Sequence, residues 1–165
     1  MRDNFNREIT YMRISLTDLC NLRCVYCMPE SGVCKLEHSK MLSLEEIVEI
    51  AGIAAELGIK KVRLTGGEPL TKKGIVWLCE EIKQIEGIED LAITTNGQLL
   101  GEMAKPLVDA GVDRVNISLD TLDPTRYSLI TRGGDIKKTI NGINAAIDAG
   151  FKKIKINLKD YMVLN

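Results

Sequence analysis

The sequence predicts an α/β fold, an incomplete parallel (β/α) barrel of about five strands. The main indication is a repeat in which a glycine is followed by alternating apolar and polar residues, at 58–65, 87–94, 111–118 and 150–157. Such alternation is typical of short strands. A further strand, 12–16, precedes the repeat, and stretches with helical spacing of apolar residues separate the strands. Strands that alternate with helices favour a parallel sheet with right-handed crossovers.

The helices are predicted from caps and periodicity. Ser43 and Glu46 form a capping box that begins a helix over 44–57. Each repeat glycine fits the position just past a helix end, where a positive φ is needed. Further helices are predicted at 74–85, at 102–110 and, capped by Asp135, at 136–149. No linker rich in Pro or Ser divides the chain, so we expect one domain over residues 1–165.

Each predicted strand has an apolar face, which the helices should cover, and a polar face. The polar face carries Arg13, Ser15, Thr17, Arg63, Thr65, Thr94, Asn96, Asn116, Ser118, Asp120, Lys155 and Asn157. A closed barrel usually fills its lumen with branched apolar residues. Because buried polar groups without partners are costly, we expect a concavity that holds a polar ligand. The alternative is an open sheet that leaves its polar face in water, which parallel sheets rarely do.

Three cysteines follow the first strand with the spacing C-x3-C-x2-C, namely Cys20, Cys24 and Cys27. Three thiolates this close can hold three irons of a 4Fe–4S cluster. Ferredoxin-type runs supply a fourth cysteine nearby, and this run does not, so one iron would be left open for chemistry. A structural zinc completed by Cys34 or His38 is an alternative. Three unconnected thiols are another.

Other polar motifs end the neighbouring strands, and parallel sheets bind ligands at those ends. In 65–69, Thr-Gly-Gly-Glu-Pro, two glycines let the backbone approach a ligand closely. Arg13 and Arg63 lie on the inward face, with Lys155 in the register position of Arg63, and guanidinium groups there favour an anion such as phosphate. The alternative is buried pairing with Asp18, Glu68 or Asp120.

Three other residues are expected to be structural or peripheral. His38, the only histidine, should lie in an exposed loop, whereas Cys79 and Trp77 should pack in the core.

Composition limits the classes of function. The formal net charge of −1 argues against a nucleic-acid-binding protein. There is no apolar run of membrane-spanning length, and residues 1–7 do not have the apolar core expected of a signal sequence. Five cysteines, three of them bunched, do not resemble a disulfide framework, so we expect a reduced, cytoplasmic protein.

The cysteine run, with Tyr26 before its last cysteine, and the motif 66–69, Gly-Gly-Glu-Pro, together resemble the radical S-adenosylmethionine superfamily. Within it, the chain is similar to the GTP cyclases of molybdenum cofactor biosynthesis. The motifs that carry this narrower resemblance lie at 13–18, 26–29, 63–69, 94–97 and 116–120. The resemblance extends from about residue 13 to about residue 157.

The resemblance implies the cofactors and the site. A 4Fe–4S cluster would be held by Cys20, Cys24 and Cys27. S-adenosylmethionine would be contacted by Tyr26, Gly67 and Ser118. GTP would be contacted by Arg13, Arg63, Thr94 and Lys155.

The resemblance also implies the reaction, that of a lyase. Reductive cleavage of S-adenosylmethionine would give a 5′-deoxyadenosyl radical, which would remove hydrogen from the 3′ carbon of the GTP ribose. Attack of the ribose radical on carbon 8 of guanine would give (8S)-3′,8-cyclo-7,8-dihydroguanosine 5′-triphosphate. The implied partners are a low-potential electron donor and, as the next enzyme, cyclic pyranopterin monophosphate synthase.

Some features depart from the family. Leu19 stands where Arg is common, the run 158–165 does not follow the usual continuation, and the chain has about half the family's length. The missing half would carry a second 4Fe–4S cluster. We therefore expect a fragment, the N-terminal part of a radical S-adenosylmethionine core domain, that is not competent alone. The alternatives are another radical S-adenosylmethionine enzyme, for example in peptide maturation, or a non-catalytic metal-binding domain.

Overall fold

Five parallel strands form one sheet in the computed structural model, which describes residues 2–32 and 41–158. They are β1 Tyr11–Ser15, β2 Lys61–Thr65, β3 Asp90–Thr95, β4 Arg114–Ser118 and β5 Lys153–Asn157. The strand order is β1-β2-β3-β4-β5, with β1 and β5 at the edges. This confirms the predicted incomplete parallel α/β barrel. The predictions for Cys34, for His38 and for the run 159–165 lie outside the described residues.

Within residues 2–32 and 41–158, five α-helices accompany the strands, and a short 3-10 helix, Pro69–Thr71, follows β2. The α-helices are α1 Leu44–Glu56, α2 Ile75–Gln84, α3 Leu100–Asp109, α4 Pro124–Thr131 and α5 Ile136–Ala149. The predicted capping box of α1 is present, because Ser43 Oγ accepts from the backbone N of Glu46 and the Glu46 carboxylate accepts from the backbone N of Ser43. Helix α4 was not predicted. In the described part of the chain, no helix has both the length and the apolar character needed to cross a membrane.

The core lies between the apolar strand face and the helices. Leu64, Leu91 and Ile93 of the sheet are fully buried in it. Cys79 of α2 is also fully buried, which confirms its predicted packing role. The prediction that Trp77 is a core residue is wrong, because its side chain is 40 % exposed. The buried stripe of α2 consists of Ile75, Leu78, Cys79 and Ile82, and position 77 falls beside it.

A group of ion pairs around Asp113 connects elements of the sheet at the amino ends of its strands, away from the predicted site. Asp113, which precedes β4 and is 6 % exposed, accepts from Lys83 Nζ at 2.6 Å and from the backbone N of Leu91 at 2.9 Å. Lys152 forms a second ion pair with the same carboxylate. Burial raises the pKa of Asp113, but these hydrogen bonds outweigh it and hold the pKa below its ordinary value.

Candidate active site

A cavity of about 530 Å³ lies on the polar face, toward the carboxyl ends of the strands. It brings together all but one of the predicted site residues. Those that line it are Arg13, Cys20, Cys24, Tyr26, Cys27, Arg63, Gly67, Thr94 and Ser118. Lys155 is exposed on the edge strand β5 and lies outside this lining. The prediction that it shares the register position of Arg63 is wrong, because Lys155 pairs with Asn116 of β4, whereas the register of Arg63 runs through Ala92 and Arg114 to Lys153.

The Gly-Gly-Glu-Pro loop and the start of the cysteine run are joined backbone to backbone. Gly67 N donates to the carbonyl oxygen of Thr17 at 2.6 Å, and Glu68 N donates to that of Leu19 at 2.8 Å. A Cβ atom added to Gly67 would lie 2.2 Å from the Leu19 oxygen. A glycine is therefore required for the approach of these two segments to each other. Since Leu19 serves through its carbonyl group, that contact does not depend on which side chain stands there.

Glu68 organises the end of the next strand as well. Its carboxylate, only 1 % exposed, accepts from Thr95 Oγ1 at 2.7 Å, from Asn96 N at 2.7 Å and from Leu70 N at 3.1 Å. Burial raises the pKa of Glu68 above its ordinary value, and the three hydrogen bonds oppose that shift. All three donors to the carboxylate are uncharged groups, so the alternative in which Glu68 pairs with Arg13 or Arg63 is not observed among the described residues.

The cysteine run is a compact loop. Cys24 is buried, Cys20 half-buried and Cys27 exposed. Both Cys27 N and Met28 N donate to the Cys24 carbonyl oxygen at 3.1 Å, while Cys20 Sγ accepts from Leu22 N at 3.4 Å. Burial raises the pKa of the Cys20 thiol, and it raises that of Cys24 to about 11. Binding to iron as thiolates would therefore require loss of protons.

The three cysteines share one cavity. Among the described residues, no group of three His, Cys, Asp or Glu side chains converges to hold one metal ion. A 4Fe–4S cluster does not need such convergence, since each thiolate binds a different iron. Cys20, Cys24 and Cys27 all line the cavity, so three thiols are available there as separate iron ligands.

A hydrogen bond ties the cysteine run to the end of β4. The Tyr26 hydroxyl donates to the Asp120 carboxylate at 2.8 Å. Burial and this bond to a carboxylate both raise the pKa of Tyr26, so the phenol stays neutral. Asp120 follows Ser118 on the polar face, and both line the cavity.

The two inward arginines lack acidic partners among the described residues. Arg13 Nε lies 3.4 Å from the Tyr11 hydroxyl, and the Arg63 guanidinium stacks over the Tyr11 ring at 5.5 Å. Arg63 Nε is buried and has no hydrogen-bond partner in this part of the chain, and the same is true of Asn116 Nδ2. Because unpaired buried donors are costly, the site fits a ligand that supplies acceptors, as an anion does.

Two further arginines hold the cysteine run and were missed by the sequence analysis. Arg23 Nη1 donates to the carbonyl oxygens of Cys20 at 2.6 Å and Leu22 at 2.9 Å. Arg132, just after α4, reaches the carbonyl oxygens of Arg23 and Met28. The signals available were Asp123-Pro124, typical of a helix start, and Gly133-Gly134, typical of a helix end.

Comparison with known proteins identifies the class. The sequence model of the Radical SAM superfamily matches residues 14–164. The chain therefore belongs to the radical SAM superfamily, whose cofactors, a 4Fe–4S cluster and S-adenosylmethionine, are those that the cysteine run and the cavity fit.

Curated relatives narrow the comparison. The chain is 54 % identical, over 96 % of its length, to the GTP 3′,8-cyclase of Alkaliphilus metalliredigens, and 55 % identical, over 95 %, to that of Pelotomaculum thermopropionicum. It spans about half the length of these relatives, 49 % and 48 % respectively.

A solved structure supports the fold. SuiB of Streptococcus suis matches with a TM-score of 0.71 and 24 % identity, over 90 % of this chain and 32 % of SuiB. SuiB has also been solved with S-adenosylmethionine bound.

Proposed function

We propose that the chain is the part of a GTP 3′,8-cyclase that binds the radical-generating cofactors and the anionic end of GTP. In this proposal Cys20, Cys24 and Cys27 hold the 4Fe–4S cluster. Tyr26, Gly67 and Ser118 contact S-adenosylmethionine. Arg13, Arg63 and Thr94 contact GTP, with Lys155 as an outer contact from the edge strand.

One observation carries the proposal. Three cysteines and two arginines without acidic partners in the described residues line a single cavity. A peptide-maturation enzyme of the same superfamily would need the cysteines but has no evident need for the two inward arginines. The identity of more than 50 % to named cyclases supports the same choice.

The residues of the chain would have two roles: to bind the ligands and to shield the site from water. When bound, the reduced cluster and S-adenosylmethionine supply the radical chemistry. The arginines would neutralise phosphate oxygens by charge-assisted hydrogen bonds and so fix the sugar relative to the cluster loop. The sheet and the cysteine run would wall the site against water and side reactions. As further proposals, a low-potential donor would reduce the cluster and cyclic pyranopterin monophosphate synthase would take the product.

Anaerobic reconstitution of the 165-residue chain tests the metal assignment. We expect about four irons and four sulfides per chain and formation of 5′-deoxyadenosine under strong reductant. Cys24→Ala should abolish both, whereas Cys79→Ala, in the core, should abolish neither. One zinc per chain in place of iron would overturn the assignment.

Equilibrium dialysis against GTP tests the substrate assignment. Arg63→Ala should weaken GTP binding by about tenfold to a hundredfold, the effect of one charge-assisted hydrogen bond, with cluster content unchanged. Arg7→Ala, an exposed arginine that stacks on Phe5, is the matched control. If Arg63→Ala binds GTP as tightly as Arg7→Ala does, Arg63 is not a GTP contact.

A further inference from the structure

The cysteine run is docked on the end of helix α4. Arg23 N donates to the Thr131 carbonyl oxygen at 3.1 Å, and Val25 N donates to that of Ile130 at 2.9 Å. The last carbonyl groups of a helix lack partners inside the helix. Here the cysteine run supplies partners for two of them, so the end of α4 and the run form one hydrogen-bonded unit.

Arg132 ends α4 in an unusual backbone conformation. Its φ of 53° and ψ of 60° lie in the left-handed region. Helices commonly end with a residue in this region, and that residue is usually glycine, because a Cβ atom is disfavoured there. Gly133, the next residue, also has a positive φ. An arginine held in this conformation points to a contribution from its side chain.

The side chain of Arg132 bridges the two ends of the loop that contains Cys24 and Cys27. Its Nη1 donates to the carbonyl oxygen of Arg23 at 3.2 Å and to that of Met28 at 3.0 Å. These residues directly precede Cys24 and directly follow Cys27. One cationic group therefore fixes the separation of the loop's ends while remaining exposed to solvent on its outer side.

We propose that Arg132 is a positioning residue that holds the cysteine loop in the conformation that receives the cluster. The proposal rests on the assignment of Cys20, Cys24 and Cys27 as cluster ligands under the proposed function. Arg132 acts through the loop backbone. Groups that orient metal ligands in this way typically change metal affinity by about tenfold to a hundredfold when removed.

Replacement by glycine separates this role from a purely structural one. Arg132→Gly relieves the left-handed backbone and removes the bridge, so a helix-ending role and a positioning role predict different results. We expect the apo protein to unfold at the same temperature as wild type or higher. We expect the loaded protein to lose iron to a chelator about tenfold to a hundredfold faster, with a changed electron paramagnetic resonance spectrum of the reduced cluster.

Two variants complete the experiment. Arg132→Lys keeps a cation with donors but lacks the planar guanidinium, and should retain iron to an intermediate extent. Lys137→Ala removes an exposed cation from the start of α5 and should behave as wild type.

Each outcome decides the proposal. If Arg132→Gly keeps the wild-type spectrum and iron retention, or if the apo form is strongly destabilised, Arg132 is not a positioning residue. If wild type itself takes up no cluster under conditions in which it is folded, the proposed function fails, and this inference fails with it.

Discussion

The buried carboxylate of Glu68, in the loop after β2, accepts a hydrogen bond of 2.7 Å from the hydroxyl of Thr95, the last residue of β3. The same carboxylate accepts from Asn96 N, and the Asn96 side-chain amide lies 3.8 Å from Cys20 Sγ. The Gly-Gly-Glu-Pro motif is thus linked to the cysteine motif twice, through the backbone at Gly67 and through Asn96. Its acidic residue is a connecting element between two strand ends.

We expect Glu68→Gln to lower the free energy of unfolding by about 1–3 kcal/mol. The glutamine oxygen can replace Oε1, which accepts from Leu70 and Thr95, but its amide group then places a donor against the N–H of Asn96. Urea unfolding of the apo protein measures the change. Thr95→Ser, which keeps the hydroxyl group, should lose less. An unfolding midpoint for Glu68→Gln equal to that of wild type would show that this hydrogen-bond set contributes little.

Gly67→Ala and Gly52→Ala should have opposite effects. The alanine Cβ at 67 would meet the Leu19 carbonyl oxygen, so we expect destabilisation by about 1–3 kcal/mol together with weaker iron and S-adenosylmethionine binding. A Cβ at Gly52, inside α1, meets nothing within 4 Å, and alanine should stabilise that helix by about 0.5–1 kcal/mol. Thermal unfolding and iron content are the measurements. Equal behaviour of the two variants would contradict the close approach at Gly67.

Much of the fold could be predicted from the sequence because its strands show apolar–polar alternation and its helices show apolar residues at helical spacing. The repeat glycines located β2 to β5, and the capping box located the start of α1 at Leu44. Most of the polar face predicted from alternation lines the cavity, since a parallel register sets equivalent side chains side by side, as Arg13 and Arg63 are. The exceptions are Ser15, Thr17, Asn116 and Lys155.

The rest left no periodic pattern of apolar residues and depended on tertiary packing. Helix α4 has eight residues and little amphipathic character, so it left no periodic signal. Trp77 is apolar but lies off the buried stripe of α2. The role of Arg132 could not be predicted, because its partner Met28 is 104 positions away in the chain.

Asp113→Asn should destabilise the protein in a pH-dependent way. The pKa of Asp113 is depressed in the folded state, so its contribution is complete above the ordinary aspartate pKa and is lost as pH falls through the lower folded value. At pH 7 we expect a loss of about 1–3 kcal/mol, which shrinks as the pH falls below about 4. Chemical unfolding across pH 3–7 measures it. Asp109→Asn, in an exposed pair with Lys105, should change stability by less than about 1 kcal/mol at any pH.

Truncation of two neighbouring residues of α2 to alanine should lower the free energy of unfolding by different amounts. Leu78→Ala removes a fully buried side chain and should cost about 2–5 kcal/mol. Trp77→Ala removes a larger side chain that is 40 % exposed, and we expect the smaller loss despite its size. Unfolding midpoints of the two variants test the corrected orientation of this helix. A larger loss for Trp77→Ala would restore the original core assignment.

The strand order has a consequence for synthesis. Each strand lies beside the one that precedes it in the chain, so when a strand leaves the ribosome its neighbour has already emerged. The sheet can therefore grow from β1 in the order of translation. The cysteine run is the exception, because its early residues bond to Ile130, Thr131 and Arg132, which are made much later. The loop that carries the thiols is thus translated among the first residues but acquires these contacts only after β4 and α4 have been made.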